Sequence, residues 1–226
     1  DWNYQAVEGY WEGVIYGAGL FVVVGDDEAM TSPDGENWTA LGEIPNTEWY
    51  SVAYGNGKFV AVSPYGYYLM TSEDGINWSE IPDAEYGFED VVFGNGLFVA
   101  MGEDYVQMSE DGVVWTHQSI DYGNWRSIIY GDGQFLIVGE GDNSESPSIL
   151  RSRNGIDWTG VESVAGIVLK DAIYANGTFY GFTSDNDSWL IQSVESTGLA
   201  ELILSGNASE HQNSNDLSRI TFDFSN

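Results

Sequence analysis

The residues that could do chemistry in this chain are mostly carboxylates. The 226 residues include 36 Asp and Glu against 6 Lys and Arg, which gives a formal net charge of -30. Cysteine is absent and the only histidines are His117 and His211, so thiolate chemistry and a histidine-rich zinc site are not expected. Carboxylates can serve as the acid and base of glycoside hydrolysis, bind a hard cation such as Ca2+, attract a basic partner, or simply hydrate the surface.

The same composition argues against several function classes. Nucleic acids and anionic membranes are bound through Lys and Arg, so neither is an expected partner. No apolar run approaches the roughly 18 residues of a spanning helix, so membrane insertion is not expected. With 42% hydrophobic and 15% aromatic residues, the chain is predicted to fold. It begins with Asp1 rather than Met, so we expect that it is processed or excised from a longer chain, and it is a candidate part of a larger assembly.

Two repeated motifs indicate the elements that position these groups. Five copies of aromatic-Gly-x-Gly-x-Phe, the last with one glycine lost, begin at Tyr16, Tyr54, Phe93, Tyr130 and Tyr174. After each of the first four comes Ser-x-Asx-Gly-x-x-Trp, whose Asx and Trp residues are Asp34 and Trp38, Asp74 and Trp78, Asp111 and Trp115, and Asn154 and Trp158. The spacing of about 40 residues is typical of propellers, and Asn-Gly and Asp-Gly pairs predict hairpins. The sequence therefore predicts an all-β propeller of four-stranded blades, with five blades favoured over six.

The two ends of the chain set the predicted domain boundaries. Residues 1–205 are predicted to form the propeller, and residues 206–226 a polar loop and a C-terminal strand packed on it. Trp2 to Val7 is interpreted as the fourth strand of the last blade, tying the termini together. The apolar segments Leu199 to Leu204 and Arg219 to Phe224 could extend the last blade, cap the disk or begin a sixth blade.

The second motif resembles a compact form of the Asp-box, or BNR, repeat of sialidases and of many bacterial and phage surface propellers. The resemblance covers about residues 9 to 193. It implies that the motif residues form a structural turn on the face opposite any active site, and that the protein is extracellular, on a cell surface or on a virion. A sialidase is not expected, because Arg151 and Arg153 adjoin the fourth motif on that scaffold face and an arginine clamp cannot assemble.

The connections that differ between copies form the predicted binding surface. Those between second and third strands are acidic in four copies and tyrosine-rich in the copy around Pro64. Variable loops on a rigid scaffold commonly carry sites, and the starts of the innermost strands feed the mouth of the central channel. The candidate ligand-binding residues are Glu12, Trp49, Tyr50, Tyr65, Tyr67, Glu89, Asp90, Tyr105, Arg126, Lys170 and Asp171.

These observations predict a non-enzymatic binding or structural module for a carbohydrate or protein ligand, with a cationic partner among the candidates. No catalytic residue and no cofactor is predicted. The alternative is a glycoside hydrolase whose carboxylates at the channel mouth, Glu12, Glu89, Asp90 and Asp171, act as acid and base or nucleophile. Calcium binding at Asp185 and Asp187 is a second alternative, weighed against a merely solvated acidic hairpin.

Overall fold

The computed structural model describes residues 9–26, 28–41, 44, 48–65, 69–81, 87–142, 147–161, 168–183, 190–195, 199–205 and 219–223. Within those ranges every regular element is a β-strand, which confirms the all-β prediction. The strands form five antiparallel sheets, each in chain order. The predicted strand from Trp2 to Val7 lies outside the described residues.

Each of the first three sheets has four strands. The first contains β1 (Trp11–Gly17), β2 (Leu20–Gly25), β3 (Ala29–Ser32) and β4 (Thr39–Ala40). The second contains β5 (Ser51–Gly55), β6 (Lys58–Val62), β7 (Leu69–Ser72) and β8 (Ser79–Glu80). The third contains β9 (Asp90–Gly94), β10 (Leu97–Met101), β11 (Tyr105–Ser109) and β12 (Thr116–Ser119).

The last two sheets follow the same plan, with one addition at the C-terminal end. The fourth contains β13 (Gly123–Gly131), β14 (Gln134–Gly141), β15 (Ile149–Ser152) and β16 (Thr159–Val161). The fifth contains β17 (Leu169–Ala175), β18 (Thr178–Thr183), β19 (Leu190–Glu195), β20 (Leu199–Ser205) and β21 (Arg219–Asp223).

The C-terminal segments extend the last blade. The strand β20 pairs with β19, and β21 pairs with β20. Of the alternatives for these segments, extension of the last blade is the one observed. The fourth place in this sheet, which the sequence assigns to Trp2 to Val7, is taken by β20, an apolar segment that follows β19 closely in the chain.

The chain divides into two compact units. The first comprises residues 1–102 and 106–118, which make up almost all of the first three sheets. The second comprises residues 103–105 and 119–226 and contains the fourth and fifth sheets. The site is therefore described within each unit separately.

The second glycine of the first motif closes a tight hairpin in every copy. The residues before it, Ala18, Asn56, Asn95, Asp132 and Asn176, have φ between 47 and 51°. The glycines themselves have φ between 72 and 82°. Two consecutive positive φ values define the type I′ turn that matches the twist of paired strands, as the Asn-Gly pairs predicted.

The first glycine of that motif has a different role, which the sequence did not reveal. A Cβ built on Gly55 would lie 2.0 Å from Cγ of Phe93, the motif aromatic of the next sheet. The corresponding distance from Gly17 to the Tyr54 ring is 2.2 Å, and from Gly131 to the Tyr174 ring 2.1 Å. Each ring therefore packs directly on the backbone of the preceding sheet. Glycine is required there because no other residue leaves room for the ring.

The core lies between successive sheets of each unit. In the first unit, buried residues from the first and second sheets form one cluster, among them Val22, Trp49 and Phe59. In the second unit the corresponding cluster includes Leu136, Leu169 and Phe179. Because the faces of the sheets are packed against each other, we expect a binding site at the strand ends and their connections.

Candidate binding surface

Each sheet has two unlike ends. We call the end with the Gly hairpins and the Ser-x-Asx-Gly-x-x-Trp turns the turn end. The opposite end, where the first strand starts and where the second and third strands are connected, is the loop end. The turn end has the same Gly hairpin in all five sheets and the same Ser-x-Asx-Gly-x-x-Trp turn in the first four, whereas the loop end differs from copy to copy.

At the turn end, the second motif forms a hydrogen-bonded turn that we call the Asx turn. In the second copy, Oδ1 of Asp74 accepts bonds from the Ser72 hydroxyl at 3.0 Å and from the backbone N–H of Asn77 at 2.8 Å. The N–H of Gly75 donates to Ser72 Oγ at 2.9 Å, and the Trp78 indole N–H donates to the Gly75 carbonyl at 3.2 Å. The same pattern recurs in the other three copies.

These hydrogen bonds give the carboxylates of the Asx turns a structural role. The pKa values of Asp34, Asp74 and Asp111 lie below the ordinary value of 3.8, chiefly because a backbone N–H three residues later donates to the charged form. The fourth turn has the neutral Asn154 in the same place and with the same backbone bonds. The turn therefore needs an acceptor oxygen rather than an acid, which supports a structural role for the motif.

In the fourth Asx turn, the amide and the carboxylate of one side-chain pair have changed places. In the second copy, Asn77 Nδ2 donates to Asp74 Oδ2 at 2.7 Å. In the fourth copy, Asn154 Nδ2 donates to Asp157 Oδ2 at 2.9 Å. In these two copies the same bond is kept with donor and acceptor reversed, whereas the third copy has Val114 at this position and its Asp111 accepts backbone bonds there instead.

At the loop end of the first unit, three predicted site residues occupy equivalent positions at the starts of consecutive first strands. Glu12 is exposed and sits where the pairing of β1 with β2 skips a residue, a β-bulge. Tyr50 and Glu89 are half-buried, and their backbone N–H groups donate to Val62 and Met101. The repeat thus places two carboxylates and a phenol at one end of this unit, as the sequence predicted.

The most organised contact at this end joins two tyrosines. The rings of Tyr50 and Tyr65 pack edge to face with centroids 5.7 Å apart, and the Tyr50 hydroxyl donates to the Tyr65 hydroxyl at 3.4 Å. The hydrogen bond to Tyr65, burial and the nearby charges of Glu48 and Glu89 together raise the pKa of Tyr50 above its ordinary value of 10.0. Tyr50 is therefore a neutral phenol in an acidic environment.

The backbone around this tyrosine pair is fixed on both sides. Trp49, immediately before Tyr50, is fully buried in the core. Ser63 Oγ accepts from the Tyr65 N–H at 3.1 Å and donates to the Tyr65 carbonyl at 2.9 Å. The carbonyl of Ser63 accepts from Phe88 at 2.9 Å, and Gly87 is needed because the Pro64 carbonyl lies where its Cβ would be. The two rings are therefore presented on a preorganised frame.

The side chain of Asp90 links two neighbouring sheets by a hydrogen bond. Its Oδ1 accepts from the Ser51 hydroxyl of the neighbouring sheet at 2.6 Å and from the N–H of Val91 at 2.8 Å. In the second unit, Asp171 Oδ1 likewise accepts from the N–H of Ala172 at 2.7 Å. Both carboxylates act as acceptors that fix the start of a first strand.

The second unit carries the remaining predicted residues of this row. Arg126 and Lys170 are exposed, and each sits at a β-bulge of its first strand, as Glu12 does. Trp125, next to Arg126, is buried and donates its indole N–H to the Asp121 carbonyl at 2.9 Å. The β-bulge is thus the device that recurs in these three first strands, and each places an exposed side chain at the loop end.

Other predicted site residues are placed differently. Trp49 has no solvent exposure, so it cannot contact a ligand directly and instead anchors Tyr50. Tyr105 is half-buried at the start of β11. Tyr67, Asp185 and Asp187 lie outside the described residues, so the calcium prediction stays a prediction. Among the residues that are described, no three His, Asp or Glu side chains are grouped so that they could hold a metal ion.

One residue at the loop end was missed from the sequence. Glu48 is exposed, its backbone pairs with that of Asp26 in an isolated bridge, and its charge acts on the Tyr50 hydroxyl. Its only signal in the sequence is its position next to Trp49, the aromatic at the start of the first strand.

Comparison with known proteins shows the fold. No family model matches the sequence, and no curated protein matches it. A chain of a nidogen/laminin complex is similar with a TM-score of 0.62 and 10% identity, over 81% of this chain and 75% of that one. A chain of a mitotic checkpoint complex gives 0.63 and 11%, over 88% and 64%. The WD40 β-propeller domain of Doa1 gives 0.53 and 11%, over 88% and 67%.

At such low identities the likeness carries the fold alone, and the blade-like sheets are of the β-propeller type. A search of the described residues for a helix long and apolar enough to cross a membrane finds none.

Proposed function

We propose that this protein is a non-enzymatic binding module that recognises a protein partner through the loop end of its first unit. The observation that carries the proposal is the Tyr50–Tyr65 pair, which is held by the backbone on both sides while Tyr65 remains 55% exposed. Rigid tyrosines supply contact area at low entropic cost, which is why they are enriched at protein interfaces. Two of the similar structures are chains of protein complexes, which supports a protein rather than a carbohydrate ligand.

We also propose that the repeats are of the Asp-box type and that the protein works outside the cell, on a cell surface or on a virion. The Asx turns support the repeat type, because they use aspartate for backbone hydrogen bonds as the resemblance implies. An excess of carboxylates, which hydrate strongly, suits a protein displayed in water.

Hydrolysis of a glycosidic bond is not part of the proposal. Such a reaction needs a carboxylic acid that donates a proton and a second carboxylate that attacks or activates water. Asp90 and Asp171 instead accept hydrogen bonds from backbone amides of their own strands. No observation on the described residues favours an acid and a base at this end.

The chain has no cysteine, so a single introduced thiol can report which end meets the partner. Glu28 is exposed in the connection between β2 and β3 at the loop end, and Glu36 is exposed in the first Asx turn. Glu28→Cys and Glu36→Cys would each be labelled with a photocrosslinking maleimide and irradiated in an extract of the source cells. We expect discrete crosslinked protein from the Glu28→Cys variant alone. Equal crosslinking from both variants, or none from either, would contradict the proposal.

A further inference from the structure

The geometry points to the chemistry of the partner: we propose that the Tyr50–Tyr65 pair, flanked by Glu48 and Glu89, receives a lysine or arginine side chain of the partner protein. The inference rests on the proposed function and specifies it. A cation over an aromatic ring is attracted by the ring quadrupole, and adjacent carboxylates add direct charge attraction.

The distribution of charge within the first unit supports a basic partner. The sequence of this unit contains a single lysine or arginine, Lys58. Lys58 pairs with Gly55 beside the hairpin and forms an ion pair with Glu73 at 3.8 Å, both at the turn end. The one Lys or Arg side chain of this unit therefore lies at the turn end, and the loop end of the unit has acidic side chains and no Lys or Arg.

The tyrosine pair converts this general attraction into a defined site. Edge-to-face packing fixes the two rings relative to each other, and the Ser63 bonds fix the loop that bears Tyr65. A long cationic side chain that enters such a site loses rotamer entropy, but the protein side loses little because its frame is already ordered. Charge alone would attract a basic segment anywhere on this acidic chain, whereas the ring pair selects one place.

Two further features fit a cationic side chain better than a sugar. Glu48 and Glu89 both lie close enough to Tyr50 for their charges to act on its hydroxyl. The Tyr50 hydroxyl also donates to the Tyr65 hydroxyl, so its proton is not offered to a polyhydroxyl ligand. A basic side chain is attracted by these two negative charges and does not need that proton.

The experiment measures binding of a fluorescently labelled, amidated tetra-arginine peptide to the full chain by anisotropy, at low and at physiological salt. The variants are Tyr65→Ala and Glu48→Gln. The matched controls are Tyr122→Ala, an equally exposed tyrosine of the second unit, and Glu36→Gln at the turn end. Tyr65→Phe keeps the ring and tests whether a loss is due to the ring or to misfolding, which circular dichroism also checks.

We expect Tyr65→Ala and Glu48→Gln to weaken peptide binding roughly threefold to fivefold each, with Tyr65→Phe and both controls within about twofold of the native chain. Equal weakening by Glu36→Gln and Glu48→Gln would show that the peptide follows net charge alone and would overturn the inference.

The two proposals can fail separately. Partner crosslinking through Glu28→Cys without any affinity for the peptide would leave the binding function standing and overturn the cationic ligand. Binding of a neutral oligosaccharide such as maltohexaose that is lost in Tyr65→Ala, with no peptide binding, would overturn it in favour of a carbohydrate.

Discussion

Gly55→Ala is the substitution whose effect the structure predicts most directly. Its Cβ would lie 2.0 Å from Cγ of Phe93 and within 2.3 Å of both Cδ atoms, whereas ordinary contact begins at 3.4 Å. The Phe93 ring would have to move by at least about 1.4 Å, away from the sheet on which it packs. Overpacking of this kind costs about 1 to 3 kcal/mol. Gly55 does not have a positive φ, so alanine brings no backbone strain of its own.

The assay is urea unfolding followed by tryptophan fluorescence at neutral pH, with Phe93→Ala as the second arm of a double-mutant cycle. Phe93→Ala alone should destabilise by about 2 to 3 kcal/mol, because a half-buried ring is lost. Once the ring is removed, Gly55→Ala should cost nothing or stabilise slightly, since alanine is less costly than glycine within a strand. The expected coupling is therefore at least about 1 kcal/mol. An equal cost of Gly55→Ala with and without the ring would refute the assignment of this glycine.

Three further predictions concern the turns. Ala18 has a positive φ of 49° at a position where three other copies have Asn, which tolerates this conformation better than alanine. Ala18→Asn should therefore raise the free energy of unfolding by about 0.5 to 1 kcal/mol in the same urea assay, and a decrease would contradict backbone strain at Ala18. Asp74→Asn should destabilise by about 1 kcal/mol, because two backbone N–H groups then donate to a neutral amide oxygen instead of a carboxylate. Adding Asn77→Asp should restore part of the lost midpoint by giving the new amide the carboxylate partner that Asn154 has in Asp157, and failure of the rescue would refute the exchanged pair. Because the pKa of Asp74 is lowered in the folded state, its charge stabilises the fold at pH values above the unfolded pKa of 3.8, and this stabilisation decreases as the pH falls below 3.8. The difference between the urea midpoints of the native chain and of Asp74→Asn should therefore narrow from pH 5 to about pH 3, and a constant difference would contradict this.

The local features of the fold could be predicted from the sequence because they depend on residues close together in the chain. An Asn-Gly pair flanked by apolar alternation specifies its own hairpin, and the Asx turn is closed by bonds spanning two or three residues. The number of sheets followed from counting such units. The row of Glu12, Tyr50 and Glu89 was also identified, because equivalent positions of a repeat fold alike.

Features that join distant segments needed the tertiary structure. Phe93 reaches Gly55 across 38 residues of chain, and nothing in the motif says which of its two glycines seats a ring and which closes a turn. Trp49 was expected at a ligand but is buried, since a tryptophan at a strand start fits either environment. The fourth place of the last sheet went to β20 rather than to the N-terminal segment, since an open strand edge accepts any suitable strand that reaches it.

The sequence by itself thus determined the repeating unit, its turns and the acidic character of the surface. The tertiary structure decided which side chains are accessible, and it alone joined Tyr50 to Tyr65 and brought Glu48 beside them. Short-range hydrogen bonds are specified by the residues that make them, whereas burial and proximity depend on how separate strands and sheets pack together.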